Sequence, residues 1–157
     1  MVHTNKTKMK KTQATILIID DQEEILIAGK LLLKRLFETI ITCSNPKNIP
    51  EILLENEIDV VLMDMNFRTG YEDGKEGVFW LKEILLLKPK TKVILMTSYG
   101  SVETAVESLK LGAIDYLLKP WDNQKLIDLI KDAIKQHRKA KQIVEVKEKS
   151  LFIGSSS

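Results

Sequence analysis

The chain alternates short, almost wholly apolar runs with longer segments in which apolar residues recur every three or four positions. β-Branched runs without polar alternation are typical of strands buried on both faces, and the longer repeat is typical of helices. The predicted strands are 15–20, 39–44, 59–64, 92–98 and 114–120, and the predicted helices are 23–37, 50–56, 77–88, 101–112 and one from residue 122 or 123. Five alternating strand–helix units predict an α/β fold, a (βα)5 doubly wound parallel sheet.

Composition supports a single domain with tails. With 157 residues and 44% hydrophobic residues, the chain can bury a core. The net charge of +2 is unevenly distributed: residues 1–14 carry four lysines and no acid, and 135–149 carry six basic and two acidic residues, so the body between them is acidic.

No apolar run is long enough to span a bilayer, and the amino terminus lacks a secretion-signal pattern, so we expect a cytoplasmic protein. The one cysteine, Cys43, is expected to be buried and reduced.

Acidic, hydroxyl or basic side chains that could act together lie at the ends of the first, third, fourth and fifth predicted strands, whereas the second, at the sheet edge, ends in Ser44 and adds nothing to them. In a parallel α/β sheet the carboxyl ends of the strands meet at one edge, where functional sites lie. Three carboxylates, two hydroxyls and a lysine are therefore predicted to share that edge: Asp20, Asp21, Asp64, Thr97, Ser98 and Lys119.

Carboxylates held this close repel one another unless a cation compensates them. Mg²⁺ binds one or two carboxylates together with waters, and it leaves coordination positions for phosphate oxygens. A carboxylate beside such a metal, with a lysine and a hydroxyl in reach, can act as a nucleophile and form an acyl phosphate. The strand ends thus indicate phosphoryl chemistry supported by Mg²⁺ or Mn²⁺.

The segments ILIIDDQEEI, VVLMDM and VILMTSYGSVETAVESLKLGAIDYLLKPWD resemble the receiver domain of bacterial two-component response regulators. The resemblance covers roughly residues 14–137 and implies a flavodoxin-like sheet of order 2-1-3-4-5. It implies that Asp64 is the phosphoacceptor, supplied by a sensor histidine kinase or a phosphotransfer protein. Such a domain is a signalling phosphoacceptor and not an enzyme with a separate substrate; only Mg²⁺-dependent phosphorylation and dephosphorylation of itself are expected.

The same resemblance assigns roles around the acceptor. Asp20, Asp21 and Asp64 would bind the metal, with the backbone carbonyl of Asn66 as a further ligand. Phosphoryl binding and switching would fall to four side chains and one cis peptide bond: Thr97, Ser98, Lys119, Tyr116 and the bond before Pro120. Tyr116 could instead be a packed strand aromatic.

The closest resemblance is to receivers of the nitrogen-regulatory, sigma-54-dependent activator type. The predicted organisation is a basic tail (1–13), a receiver (14–137) and a linker helix with tail (138–157) that would lead, in a longer protein, to an ATPase output domain. We expect output through protein contacts, control of transcription in a longer protein, and no membrane or direct nucleic-acid binding by these residues.

The last helix extends beyond what one domain needs, which makes a homodimer a hypothesis. The heptad-like line that could pair is Leu126, Ile130, Ala133, His137, Ala140, Val144, Lys147 and Leu151. Its second half is polar at some positions, so a charged linker that pairs with no partner is the alternative. The face of helix four, strand five and helix five is another candidate interface. His137 is predicted to be a surface or interface residue and not a metal ligand.

Two other functions fit the same sheet class less well. An aspartyl-nucleophile phosphatase or phosphotransferase of the haloacid-dehalogenase-like type would need Asp-x-Asp-x-Thr after strand one, where this chain has DDQE at 20–23. A flavin or nucleotide binder would need a glycine-rich loop there, and none is present.

The segment after Asp64 departs from the receiver pattern. Arg68 stands where receivers usually have proline, and the loop 65–76 is about four or five residues longer than usual. It adds charge beside the acceptor. The loop is either a tolerated surface insertion or an element that tunes phosphoryl lifetime or kinase choice.

Overall fold

The computed structural model of the protein describes residues 10–67, 75–98 and 102–155, with side chains to residue 151, and contains one parallel sheet. Its strands are β1 (Thr12–Ile19), β2 (Phe37–Cys43), β3 (Val60–Asp64), β4 (Lys92–Thr97) and β5 (Asp115–Leu118). Their order is β2-β1-β3-β4-β5, and every neighbouring pair is parallel. The predicted fold class and strand order are confirmed.

The helices are α1 (Glu23–Leu33), α2 (Ile49–Glu55) after a 3-10 turn at Pro46–Asn48, α3 (Lys75–Leu87), α4 (Val102–Leu111) and α5 (Asn123–Ser155). Helix α1 is shorter than predicted because Phe37, assigned from its apolar spacing to the helix, is fully buried as the first residue of β2. Helix α3 begins two residues before the predicted Gly77. Helix α4 ends at Leu111 and is followed by Gly112, whose φ of +121° suits glycine.

Side chains of each central strand alternate between the two faces of the sheet, as the strand period of two requires. Ile16, Ile18 and Leu62 belong to the core under α1 and α5. Leu17 and Met63 belong to the core under α2 and α3. Because both faces are covered, β3 is buried at all five positions, and its apolar residues can hold the terminal Asp64 in place.

The amino-terminal boundary differs from the prediction by two residues. Thr12 pairs with Phe37 in the sheet, and its N–H donates to the Leu36 carbonyl at 2.8 Å. The predicted tail 1–13 therefore overlaps β1, while residues 1–9 lie outside the described part of the chain.

Helix α5 is long, as predicted, but the first half of its heptad-like line packs against the body of the same chain. Leu126, Ile130, Ala133 and His137 are all buried. The first three pack in the core beneath the sheet, so that half of the line cannot pair with a second chain. The prediction that His137 lies at a surface or interface was wrong: its apolar spacing places it against the receiver body, where it is 5% exposed. No helix in the described ranges is long and apolar enough to cross a membrane.

Candidate phosphoacceptor site

Three carboxylates meet at the carboxyl edge of the sheet. Strand β1 ends at Ile19 and is followed by Asp20 and Asp21, while β3 ends at Asp64. Because β1 and β3 are parallel neighbours in register, these acids come together, and one oxygen of each lies within 4.8 Å of the others. The structure thus brings together the three acids that the strand pattern predicted.

Asp20 is fully buried and both of its oxygens are held. Its Oδ1 accepts the Gln22 backbone N–H at 2.9 Å, and its Oδ2 lies 2.5 Å from Lys119 Nζ. A carboxylate with both oxygens engaged keeps one orientation. Asp20 is therefore a fixed component of the site.

Asp64 is 4% exposed and lies against the same lysine, whose Nζ is 3.3 Å from its Oδ1. Burial and the neighbouring charge of Asp20 raise the pKa of Asp64 from 3.8 to about 6, although Lys119 and a hydrogen bond from the Asn66 backbone N–H act in the opposite direction. One lysine thus serves two buried carboxylates. Among the described residues, these acids carry more negative charge than this lysine compensates.

Asp21 differs from these two acids because it is exposed. Its pKa is nevertheless raised, first by partial burial and then by the charge of Asp20. It lies at the mouth of the site, where a ligand from solvent would enter.

The remaining predicted residues surround the acids. Thr97 is fully buried at the end of β4, and its carbonyl accepts the Lys119 backbone N–H at 2.7 Å, while Ser98 is exposed. The Lys119–Pro120 peptide bond is cis. Tyr116 is half-buried on β5, opposite Leu95 and against the core beneath α2 and α3. Its described position is compatible with either of the roles considered above.

Gly77 is a site component that the sequence pattern did not reveal. Its N–H donates to the Met65 carbonyl at 3.0 Å, and a Cβ on Gly77 would lie 2.7 Å from both Cα and O of Met65. Only glycine allows α3 to approach Met65, the residue after Asp64, this closely. The available signal was a glycine in the first turn of a predicted helix, where glycine is otherwise unfavourable.

The unusual loop is described only at its ends. Phe67 is buried, and α3 begins at Lys75. Arg68 and the charged residues Glu72 and Asp73 lie outside the described residues, so the predicted role of this loop stays a prediction.

The donor set fits a hard divalent cation. Mg²⁺ prefers carboxylate and carbonyl oxygens and keeps several waters. Two buried acids and one exposed acid, with raised pKa values at Asp21 and Asp64, are a charge arrangement that such an ion relieves. The residues that would hold it are Asp20, Asp21 and Asp64.

Comparison with known proteins identifies the class. The family model of the response regulator receiver domain matches residues 16–131. The chain therefore belongs to the response regulator receiver family. It is 37% identical over 130 residues to the transcriptional regulatory protein ZraR of Klebsiella oxytoca, a match that covers 83% of this chain and 28% of that protein. The chain thus spans less than a third of this relative.

Solved structures agree with the family. The chain is similar to the N-terminal signal receiver domain of a two-component response regulator from Bacteroides fragilis, with 41% identity, a TM-score of 0.70 and coverage of 78% of this chain and 98% of that one. It is also similar to the beryllofluoride-activated NtrC4 receiver domain dimer, with 26% identity, a TM-score of 0.69 and coverage of 78% and 98%.

Proposed function

We propose that this receiver accepts a phosphoryl group on Asp64 from the phosphohistidine of a sensor kinase or phosphotransfer protein. An Asp64 carboxylate oxygen attacks phosphorus, the P–N bond of the phosphohistidine breaks, and its electron pair stays with the departing imidazole. The observation that carries the proposal is the convergence of Asp64, Asp20 and Lys119 in one buried cluster at the carboxyl edge.

Each neighbouring side chain has a defined part in this proposal. When bound to the three acids, Mg²⁺ would supply positive charge for the phosphoryl oxygens. Lys119 is already in contact with Asp64 and adds a second positive charge on the same side. Thr97 is the last residue of β4 and pairs with Leu118, the residue that precedes Lys119. The Thr97 hydroxyl is therefore a candidate hydrogen-bond donor to a phosphoryl oxygen.

Phosphorylation can be tested without knowing the kinase. With acetyl phosphate and Mg²⁺, intact-mass spectrometry should show one hydroxylamine-labile adduct with the mass of a phosphoryl group. Asp64→Asn should remove this adduct, whereas Asp128→Asn, an exposed acid on α5, should keep it. An adduct of equal occupancy in Asp64→Asn would show that another residue is the acceptor.

For output, we infer that phosphorylation changes self-association through α4 and β5. Val102, Val106, Leu109 and Leu118 are exposed apolar side chains there, from 44% to 81% accessible. The NtrC4 receiver, a similar structure, is a dimer in its beryllofluoride-activated state. Control of transcription by a longer protein is inferred from the name of the relative ZraR.

Self-association is tested by light scattering with and without beryllofluoride and Mg²⁺. We expect a shift from monomer to dimer that Leu109→Lys prevents. Leu54→Lys is the matched control, because Leu54 is an exposed leucine on α2, away from α4. Equal dimerisation of both variants would exclude the α4–β5 face.

A further inference from the structure

Helix α5 makes a buried polar contact at the amino-terminal edge of the sheet, the edge opposite the acceptor. His137 Nδ1 lies 2.8 Å from Asp59 Oδ1. The His137 side chain is 6% exposed and that of Asp59 is 20% exposed. An apolar residue would fill this position without the cost of burying an imidazole, so the choice of histidine calls for an explanation.

Asp59 connects several elements at this edge. Its Oδ2 accepts the Thr15 backbone N–H at 2.8 Å, and its own N–H donates to the Thr15 carbonyl at 3.0 Å. Its carbonyl accepts the Lys92 N–H at the start of β4. These hydrogen bonds fix the backbone and the carboxylate of Asp59 relative to β1 and β4. The Asp59–His137 pair therefore connects α5 to the sheet.

Beyond this pair, α5 has little contact with the body. Ala140 and Val144 are half-buried, whereas the side chains from Glu145 to Leu151 are exposed. A mostly polar helical segment of this length is marginal in water when it lacks tertiary support. The last anchored turn therefore decides whether the segment stays helical and in which direction it points.

We propose that the Asp59–His137 pair is a protonation-sensitive anchor that keeps residues 139–151 of α5 helical and fixed relative to the sheet. The ion pair exists only while the imidazole is protonated and Asp59 is ionised. Loss of the imidazole proton leaves His137 neutral and weakens the anchor. This inference goes beyond phosphoacceptor activity and does not depend on it.

Other charges around His137 do not replace the pair. A cavity of about 220 Å³ beside His137 is lined by Glu57, Lys88, Lys90 and Lys141. Lys141 Nζ and Glu57 Oε2 are 3.2 Å apart but largely exposed, so solvent screens their attraction. On α5 itself, Arg138 donates to the Gln13 carbonyl at 2.6 Å, a contact that does not titrate near neutral pH.

The direction of the pH effect follows from these charges. Burial alone would raise the pKa of Asp59, but hydrogen bonds from His137 and Thr15 outweigh burial and lower the pKa. Asp59 is therefore ionised near neutral pH. The imidazole carries a charge only when it is protonated, so a lower pH strengthens its attraction to the Asp59 carboxylate and a higher pH weakens it. The anchor should therefore be stronger at lower pH than at higher pH.

The test is hydrogen–deuterium exchange of the full 157-residue chain, with rates corrected for the intrinsic pH dependence of amide exchange. We expect the amides of residues 139–147 to exchange about 10-fold faster at about pH 8 than at about pH 6, while amides of β3 and β4 keep their protection. Equal corrected rates at both pH values in the unaltered protein would overturn the proposal, and this arm needs no variant.

Variants then separate charge from packing. His137→Phe keeps an aromatic side chain without the charge, and Asp59→Asn keeps the acceptor for Thr15 without the charge; both should exchange fast at either pH. Lys139→Gln removes an exposed charge from the same turn and should behave like the unaltered protein. If His137→Phe and Asp59→Asn both retained slow, pH-dependent exchange, the anchor would be overturned as an electrostatic device.

Discussion

The two ends of β3 carry a half-buried and a buried acid, Asp59 and Asp64, in opposite electrostatic situations. Asp59 immediately precedes the strand and Asp64 ends it, with only apolar residues between them. The pKa of Asp59 is lowered, because hydrogen bonds from His137 and Thr15 overcome its burial. The pKa of Asp64 is raised to about 6, because burial and Asp20 outweigh the contribution of Lys119. The comparison shows that the surroundings, and not burial alone, decide whether a carboxylate stabilises the fold.

The two edges of the sheet therefore differ in role: one is suited to a structural contact and the other to binding a ligand. At the amino-terminal edge one carboxylate has a base and a backbone N–H as partners, which is a structural arrangement. At the carboxyl edge two buried carboxylates share one lysine, which leaves net negative charge among the residues that the structure describes there. Sites with uncompensated charge of this kind are suited to a ligand that supplies the missing cation.

The largest effect is expected when the carboxyl edge loses part of its charge. Asp20→Asn should weaken Mg²⁺ binding by about 100-fold, because it removes a buried, oriented ligand oxygen that no neighbour replaces. Isothermal titration calorimetry measures the affinity, with Asp132→Asn on the exposed face of α5 as a control. Unchanged affinity in Asp20→Asn would place the metal elsewhere.

A second experiment concerns the backbone next to Asp64. Gly77→Ala should destabilise the protein by about 1–3 kcal/mol, because the new Cβ meets backbone atoms of Met65 that cannot easily move. Gly29→Ala is the matched control: it lies in α1, and its Cβ meets only the flexible end of Ile18. Urea unfolding compares the two, and an equal loss in both would show that the Met65 contact has no special importance.

The smallest expected effects are changes in stability on replacing Asp59 or Asp64, and the two changes should have opposite signs. In metal-free buffer at about pH 7.5, Asp59→Asn should lower the free energy of unfolding by about 1 kcal/mol, since it removes the carboxylate charge that accepts the Thr15 backbone N–H. Asp64→Asn should raise the melting temperature by a few degrees, since it removes one of two repelling carboxylates. Differential scanning calorimetry measures both changes, and a shift in the same direction would contradict the contrast between the edges.

The pH dependence of the Asp64 effect follows from its raised pKa. Below its unfolded-state pKa of 3.8, Asp64 is protonated in both states and contributes nothing. As the pH rises through about 6, the folded state must ionise a carboxyl that it prefers to keep protonated, and stability is lost. The stabilisation by Asp64→Asn should therefore be full above about pH 6 and disappear below about pH 4.

Much of the site was accessible from the sequence because it depends on strand ends. A parallel sheet brings the carboxyl ends of β1, β3, β4 and β5 to one edge, so the strand pattern alone groups Asp20, Asp64, Thr97 and Lys119. What the pattern could not provide was distance. The sharing of Lys119 by Asp20 and Asp64 is a property of side-chain conformations and not of spacing.

The errors arose where one pattern supports two structures. Helical spacing placed His137 on a line that fits either a coiled coil or packing on the body, and the contact with Asp59 is 78 positions away in the chain. Phe37 continued the apolar period of α1 but is buried in β2 instead. Gly77 seemed only to mark a helix start, since its close approach to Met65 depends on tertiary structure.

The most direct test is a carbon-13 NMR titration of the aspartate carboxyl groups in the metal-free protein, with Asp64→Asn and Asp59→Asn used for assignment. We expect the Asp64 carboxyl to titrate near pH 6 and that of Asp59 below the ordinary value for aspartate, with Mg²⁺ moving the Asp64 transition to lower pH. If both carboxyls titrated together at the ordinary value and Mg²⁺ moved neither, the assignment of a charge-loaded phosphoacceptor edge would be contradicted.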